Sequence, residues 1–427
     1  MRINGQRVFI VAGTRTPFLK MQKQAGDFSA SELALGALKP LFQQYESLKS
    51  DIKEVVIGCA IPSSQEANIA RLIALRAGLA DTTSAFTVQR NCASGLQALD
   101  SAIGLLRTGQ SEIILAGGTE AMSRAPLLYN AQMVRWFGGM QSAKKPLQKI
   151  QQLLKLRLDI LNPVIALLEG LSDATLSLNM GQTAEELAYN FQIDRERMDL
   201  FAVESHQRAI AAQTTQSLVP LYSHQGVAYE QDDGVRSDAS MERLAKLKPV
   251  FEKHGTVTAG NSSQISDGAA MLLLATESGL QKHHLKPLAE IKAVAWAGVK
   301  PLWMGLGPVH AMHEALKMAQ LQMSDIDYFE INEAFAAQVL ACQKAAGSAE
   351  YRKTYQLEGT GLDTIPADKL NVEGGAIAIG HPVGASGARL PLQMAHLLHR
   401  RQARLGMISL CIGGGQGGAM IVERVGA

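Results

Sequence analysis

A chain of 427 residues is too long for one simple core, so two or three subdomains are expected. With 41 basic and 39 acidic residues the net charge is only +2, and no dense basic stripe with interleaved aromatics is present, which argues against nucleic acid as a partner. The four cysteines, Cys59, Cys92, Cys342 and Cys411, do not make a disulfide framework at this size, and no CxxC pair points to zinc, so no metal is expected.

The segment from Met1 to Ala12 enters a strand pattern almost at once and leaves no room for a signal peptide. No uncharged apolar run approaches the roughly 20 residues of a membrane span. A reducing, cytoplasmic setting is therefore the expectation. Arg7 to Gly13 reads as a buried strand, with Thr14-Arg-Thr-Pro-Phe18 as the loop leaving it. Residues 31–45 predict a helix carrying Leu33, Leu35, Leu38 and Leu41 mostly on one face, with Pro40 ending or kinking it. Ile52 to Gly58 is the next strand, Asn68 to Leu79 a helix, and Ala85 to Val88 another strand. After Cys92, apolar Leu96, Leu99, Ile103 and Leu106 recur at helical spacing until Gly109. Glu112 to Ala116 then enters the turn Gly117-Gly118. Strands alternating with helices imply an α/β chain with a parallel or mixed sheet covered on both faces.

The same order returns near the C-terminus. Ile326 to Asn332 parallels Ile52 to Gly58, and residues 387–401 predict a helix paralleling the one after Cys92. Gly406 to Cys411 enters a glycine turn just as Glu112 to Ala116 does. This is an internal duplication of an α/β unit. Between the halves the pattern breaks down, which predicts an inserted loop domain. The expected division is 1–122 completed by 250–278, then 123–249 as the insertion, then 279–427. Within the insertion, residues 183–189 and 195–213 predict polar-faced helices. Residues 144–157 are basic and leucine-rich, and residues 158–171 are apolar with Pro163 inside. They predict an exposed helical pair broken at Pro163, able to dock a partner or an anionic membrane surface.

Four residues carry the chemistry. Cys92 falls where a strand hands over to a helix, and unpaired N–H groups and the helix dipole there favour negative charge, so its thiol is expected to lose its proton readily. His381 lies between Gly380 and Pro382, in a glycine-dense stretch that lets backbone approach a substrate. Cys411 ends a strand before Gly413-Gly-Gly415, whose N–H groups suit an oxyanion. Asn332 also ends a strand, and its amide can hold a water or polarise a carbonyl. One thiolate, activated by His381, can take an acyl group, while the second thiol moves a proton at the substrate's α-carbon. Carbon–carbon bond cleavage or formation next to a thioester needs that set.

Seven stretches in order then resemble the thiolase family: Thr14-Arg-Thr-Pro-Phe18, Asn91-Cys-Ala-Ser-Gly95, Gly117-Gly-Thr-Glu-Ala-Met-Ser123, Gly255-Thr-Val-Thr-Ala-Gly-Asn-Ser-Ser263, Asn332-Glu-Ala-Phe335, Gly380-His-Pro382 and Cys411-Ile-Gly-Gly-Gly415. The resemblance implies duplicated α/β halves in five layers, α-β-α-β-α. It implies that Cys92 is acylated, His381 activates it, and Cys411 is the acid/base at the α-carbon. Asn332 would hold a water that forms one oxyanion hole with His381, and the N–H groups of Cys92 and Gly413 would form the other. Ser263 would contact the pantetheine arm of coenzyme A, and Met180, Met304 and Phe335 would line the acyl pocket. Coenzyme A and acyl-CoA are implied as substrates, with no tightly bound cofactor, in a homodimer or homotetramer.

Two departures stand out. Asn179 occupies a position where short-chain members commonly carry histidine, and Glu373 replaces an asparagine in Asn371-Val-Glu-Gly-Gly375. The basic insertion resembles the thiolase subunit of fatty-acid oxidation complexes, which implies a hydratase/dehydrogenase partner or a membrane surface through 144–171. A decarboxylating condensing enzyme of the same fold generally uses a single cysteine, so Cys411 argues against that alternative. A catalytically silent acyl-CoA-binding relative should have lost part of the set, yet all four residues are present.

Overall fold

The computed structural model describes residues 6–22, 25–212 and 216–426. Met1 to Gly5, at the head of the expected N-terminal pattern, and Gln213, the expected end of a helix, lie outside the described residues. Nine strands follow one another in a mixed sheet, and a short tenth, Leu19–Lys20, pairs beside Ser266–Thr276. In the N-terminal half the spatial order is Val8–Arg15, Ser266–Thr276, Ile113–Ala121, Glu54–Gly58, Ser84–Val88. In the C-terminal half it is Ala289–Gly298, Gln416–Arg424, Leu405–Ile412, Tyr328–Ile331, and then a single parallel bridge from Phe329 to Leu370. Numbered by position within each half, both sheets run first, fifth, fourth, second, third. The duplication read from sequence is thus a duplication of topology, with the last C-terminal strand reduced to one bridge.

Among the described residues the two halves of the sheet are continuous through two residue pairs, Phe9 with Glu290 and Ile10 with Ala289. They fold face to face about two helices, Ser94–Arg107 and Val383–Arg400. One apolar core proves it: Leu99, Ile103 and Leu390 share it with Ile114 and Leu272 of one sheet and Ile408 and Met420 of the other. Two further cores cover the outer faces. Helices Ala30–Gln44 and Ile69–Arg76 seal the first sheet. Helices Gly307–Ala319 and Ala336–Gly347 seal the second, joined by Met180–Asn190 and Arg195–Ala212 from the insertion. The layers are therefore α-β-α-β-α. The first helix runs through Pro40 to Gln44 rather than ending there, because burial of Leu33, Leu38 and Leu41 outweighs one missing N–H.

The insertion corrects the expected helix break. The helical pair is Ala131–Ser142 with Pro146–Leu153, turned at Ala143 to Lys145. Pro146 sits in the first turn of its helix, where its missing N–H costs nothing. The pair is tied by Trp136 Nε1 donating to Gln152 O and Gln152 Nε2 donating to Trp136 O, at 2.8 and 3.1 Å. The chain around Pro163 is not one long helix: a short 3-10 turn, Leu158–Leu161, precedes the proline. The chain then forms a two-residue strand, Val164–Ile165, paired with Leu127–Leu128, and then a short helix, Ala166–Gly170. Nor is the whole segment peripheral, since Leu167 is buried among Ala60, Met122 and Val383, against which Cys92 packs. Among the described residues no helix is long and apolar enough to cross a membrane.

The two central helices meet through glycine. A Cβ on Gly95 would lie 2.8 Å from Gly384 O, one on Gly387 2.5 Å from Leu96 N, and one on Gly118 1.9 Å from Gly384 O. Backbone faces backbone at each point, so no side chain can yield. We therefore expect Gly118→Ala to destabilise the fold by at least about 2 kcal/mol, at the upper end of overpacking costs. Gly104→Ala, in an exposed part of the same central layer with nothing within 4 Å, should instead add roughly 0.5–1 kcal/mol. Urea unfolding of both variants checks the pair, and equal stabilities would refute the close-approach account.

Candidate active site

Cys92 stands between the strand Ser84–Val88 and the helix Ser94–Arg107. The turn that carries it is fixed locally. Asn91 adopts a left-handed conformation at φ 43°, one that asparagine tolerates better than most residues. Ser94 Oγ accepts from Arg90 N at 2.9 Å and donates to Asn91 O at 2.8 Å. His381 holds the matching place before the second central helix, Val383–Arg400. Gly380 precedes it at φ 104°, and a Cβ there would lie 2.3 Å from Ser266 Oγ, so only glycine fits.

The His381 ring is buried and held at both nitrogens. Nδ1 lies 2.7 Å from Ser386 Oγ, and Nε2 lies 3.3 Å from Asn332 Nδ2. Ser386 donates its own proton to Pro382 O at 3.1 Å, so its oxygen accepts from Nδ1–H. That assigns the neutral tautomer with the lone pair on Nε2, which accepts from Asn332 Nδ2. Asn332 is anchored by its N–H to Ser409 O at 2.8 Å. Its Oδ1 is buried with no partner, an acceptor held ready for a donor such as water.

Cys411 is buried near the end of Leu405–Ile412, in a hairpin with Gln416–Arg424. Its thiol shares an apolar cluster with Met304 and Ala334, against which Met180 and Phe335 pack. The structure thus brings together with Cys411 the three residues, Met180, Met304 and Phe335, that the sequence reading expected at an acyl pocket. Phe251, 5.9 Å from Phe335 edge to face, was not foreseen. Ser263 is partly exposed beside them, donating its N–H to Ala334 O at 2.9 Å. The two cysteine loops are linked by Asn91 Nδ2 donating to Gly413 O at 2.9 Å, and Gly413 N–H reaches the Cys92 thiol.

Electrostatically the site is kept neutral. Burial pushes the Cys92 thiol up, the Gly413 and Cys92 N–H groups pull it back, and the charge of Glu120 adds to the rise. The expectation that the helix end would lower it is thus corrected, because the cost of burying the thiolate outweighs the N–H groups. Burial pushes Cys411 well up too, and the neighbouring Cys92 and Cys342 thiols add to it. His381 is drawn down to about 3 by burial and then by the charge of Arg389. Cys342 donates to Gly305 O at 3.0 Å, lies outside this cluster and is structural. Among the described residues no group of His, Cys, Asp and Glu could hold a metal ion.

Both sequence departures have local explanations. Asn179 caps the helix Met180–Asn190, accepting from Gln182 N at 3.0 Å while Gln182 Oε1 accepts from Asn179 N at 3.0 Å. Glu373 turns away from the thiols to Arg400, at 2.6 Å, and to Gln393 Nε2, at 3.4 Å. Ser386, Glu120 and Asn91 were missed as individual residues. Ser386 alone left a signal, a hydroxyl in the first turn of the helix that His381 introduces.

An unfolded histidine takes up a proton near pH 6.5, whereas folded His381 stays neutral to about pH 3. The unfolded state therefore binds more protons between those values, and the stability tied to this ring is full above pH 6.5 and lost as pH falls. Nitrogen NMR of histidine-labelled enzyme at pH 5.5 should find His381 neutral with its proton on Nδ1. An imidazolium signal there would contradict the assignment.

Comparison with known proteins extends the likeness to the whole chain. Residues 8–278 match the family described as thiolase, N-terminal domain, and residues 285–424 match thiolase, C-terminal domain. A probable acetyl-CoA acyltransferase of Staphylococcus aureus is 37% identical over 426 residues, covering 98% of this chain and 99% of the relative. The crystal structure of an acetyl-CoA acetyltransferase of Bacillus anthracis matches with a TM-score of 0.84 at 34% identity, covering 98% and 99% of the two chains. Human mitochondrial 3-ketoacyl-CoA thiolase in complex with CoA matches with a TM-score of 0.83 at 35% identity, covering 98% of each. With both family domains present in order, and full-length agreement in sequence and fold, the chain belongs to the thiolase family.

Proposed function

We propose that Cys92, His381, Cys411 and Asn332 carry the thiolase reaction, cleaving a 3-ketoacyl-CoA with coenzyme A or condensing two acetyl-CoA in reverse. The row Ser386–His381–Asn332 supports this most strongly, because it places the ring proton on Nδ1 and leaves Nε2 as the acceptor of a neutral, buried imidazole. In cleavage, His381 Nε2 takes the Cys92 proton and the thiolate attacks the 3-keto carbon. The N–H groups of Cys92 and Gly413 meet the charge developing on that oxygen. The bond between the α- and keto-carbons then breaks, leaving the acyl group on Cys92. The acetyl-CoA enolate takes its proton from Cys411, its oxygen facing protonated His381 and a water on Asn332. Coenzyme A, deprotonated by Cys411, takes the acyl group and frees Cys92.

Ser263 is assigned to the pantetheine arm and Met180, Met304 and Phe335 to the acyl pocket, in keeping with their shared cluster beside Cys411. Coenzyme A and acyl-CoA then enter as substrates, with no resident cofactor. A homodimer or homotetramer is also proposed, supported by the edge strand Ser84–Val88 and its partly exposed Phe86. Mass spectrometry after mixing with substrate should place the acyl group on Cys92, and Cys92→Ser should abolish turnover. Cys411→Ala should still acquire an acyl group from a simple acyl-CoA, yet lose about 100- to 10,000-fold in making or breaking acetoacetyl-CoA. An acyl group on Cys411 would reverse the roles.

The segment 144–171 is assigned to docking of a hydratase/dehydrogenase partner or an anionic membrane surface. Support comes from Pro146–Leu153, which buries no side chain, and from exposed Leu147, Ile150, Leu153 and Leu154 beside Lys144, Lys145, Lys149 and Lys155. Asn130 Nδ2 donates to Asn162 O at 3.0 Å, so the base of the helical pair is narrow enough to join. Replacing residues 131–161 by a short linker should remove partner or vesicle binding and leave acetoacetyl-CoA kinetics unchanged. Unchanged binding with altered chain-length preference would instead make the pair part of the acyl pocket.

A further inference from the structure

Glu120 lies in the stretch Gly117-Gly-Thr-Glu-Ala-Met-Ser123 and has no part in the reaction as described. It is fully buried, a place where an unpaired carboxylate is costly. Its oxygens gather donors from two separate segments. Oε2 accepts from Ala60 N at 2.8 Å, and Oε1 accepts from Ile61 N at 3.1 Å and from the Cys59 thiol at 3.4 Å. The backbone N–H of Gly384, in the first turn of the helix that follows His381, donates to it as well. Ala60 and Ile61 in turn belong to the cluster that packs on Cys92 and Val383. The carboxylate therefore joins the loop behind the nucleophile to the start of the helix behind the base. No apolar residue could satisfy these donors, and a Cβ on Gly384 would lie 2.8 Å from Glu120 Oε2, so a glycine there is what lets the carboxylate reach the helix backbone.

We propose that Glu120 is a positioning residue that keeps His381 in register with Cys92 by clamping the Cys59–Ile61 loop to the first turn of Val383–Arg400. The inference rests on the roles given to Cys92 and His381 above. The clamp has an electrostatic side. Glu120 is the carboxylate whose charge makes the Cys92 thiolate harder to form. Burial lifts its own carboxyl to about 7, the donors from Ala60, Ile61, Cys59 and Gly384 drawing it down. The other groups acting here are the thiols of Cys59 and Cys92, with Glu66 adding to the charge at Cys59. Removing the charge should thus free the thiol while loosening the geometry, moving reactivity and turnover in opposite directions. A residue that merely filled space would move neither against the other.

The test compares Glu120→Gln and Glu120→Asp with wild type in the full chain. Cys92 reactivity is read as the pH dependence of iodoacetamide labelling at that residue, by mass spectrometry, and turnover with acetoacetyl-CoA. Glu120→Gln should label about threefold faster at pH 7, since labelling follows the thiolate fraction. It should lose about tenfold or more in kcat, the scale expected when reacting groups are misplaced by a fraction of an ångström, with KM little changed. Glu120→Asp keeps the charge but shortens the clamp, so it should keep the wild-type labelling profile and lose kcat. It also serves if the glutamine variant does not fold. A Glu120→Gln enzyme with wild-type labelling and kcat would overturn the proposal. So would a Glu120→Asp enzyme with wild-type kcat. Labelling reads the thiol alone, so failure of the catalytic assignment would appear separately, as a wild-type enzyme that never acylates Cys92.

Discussion

The rest of the structure depends on one contact, the crossing of two central helices at glycine. Gly95 and Gly387 let the backbones of Ser94–Arg107 and Val383–Arg400 touch, and Gly118 lets the first sheet touch the second helix. Each helix is introduced by a reactive residue, Cys92 in one case and His381 in the other. Bringing the helices together at their first turns therefore brings the two residues together. Duplication of the α/β unit accounts for the symmetry of this arrangement, since each half supplies one central helix. Asn332 and Cys411 both come from the second half, at the same ends of the adjacent parallel strands Tyr328–Ile331 and Leu405–Ile412. A one-methyl intrusion at the crossing would displace the starts of both helices at once, which is why glycine is required at these positions.

The same crossing buries the site, and burial sets its chemistry. Both thiols are pushed toward the protonated form and the histidine toward the neutral form. In the resting state no reacting group bears a charge, so none has to be held in a dry environment. In the proposed mechanism charge arises only when a proton passes between groups, and the N–H groups of Cys92 and Gly413 would meet it. This is electrostatic preorganisation: the dipoles are fixed by the hairpin at Gly413 and the turn at Asn91 before the substrate reacts. Ser386 contributes in the same way, fixing the tautomer of His381 so that Nε2 is a base rather than a donor.

Much of this was legible in the sequence, for physical reasons. Apolar runs marked strands such as Val8–Arg15 and Glu54–Gly58, but the turn expected at Gly117-Gly118 is not there: Ile113–Ala121 runs on as one buried strand, held by its pairing with Ser266–Thr276, which no sequence pattern had singled out. Among the candidate site residues His381 stood out between Gly380 and Pro382, and Cys92, Asn332 and Cys411 because each falls where an expected strand ends. What escaped were properties that depend on partners distant in sequence. The direction of the Cys92 shift depends on how completely other segments enclose it. Glu120 reads locally as one polar residue inside a strand, and only the fold brings Ala60, Ile61 and Gly384 onto it. The helical pair of the insertion was misplaced because Gly138 and Gly139 weaken its first helix as a pattern. Its stability comes instead from reciprocal bonds between Trp136 and Gln152.

The two sequence departures show how such a site tolerates change. Asn179 meets a demand of its own helix, capping free N–H groups beside Met180, so the replacement settles a local need at the pocket wall. Glu373 introduces a buried charge close to the histidine loop, which by itself would be costly. Arg400 answers it from the far end of the central helix with two hydrogen bonds at 2.6 Å, and Gln393 joins the carboxylate to Arg389. The new charge is thereby drawn along the helix and away from Cys92. Glu120 is the opposite case, a carboxylate with no cation to answer it, satisfied only by N–H and S–H donors. On the roles proposed for Cys92 and His381, a buried carboxylate held by the loops behind both bears on their chemistry, whereas Glu373 has its charge answered by Arg400.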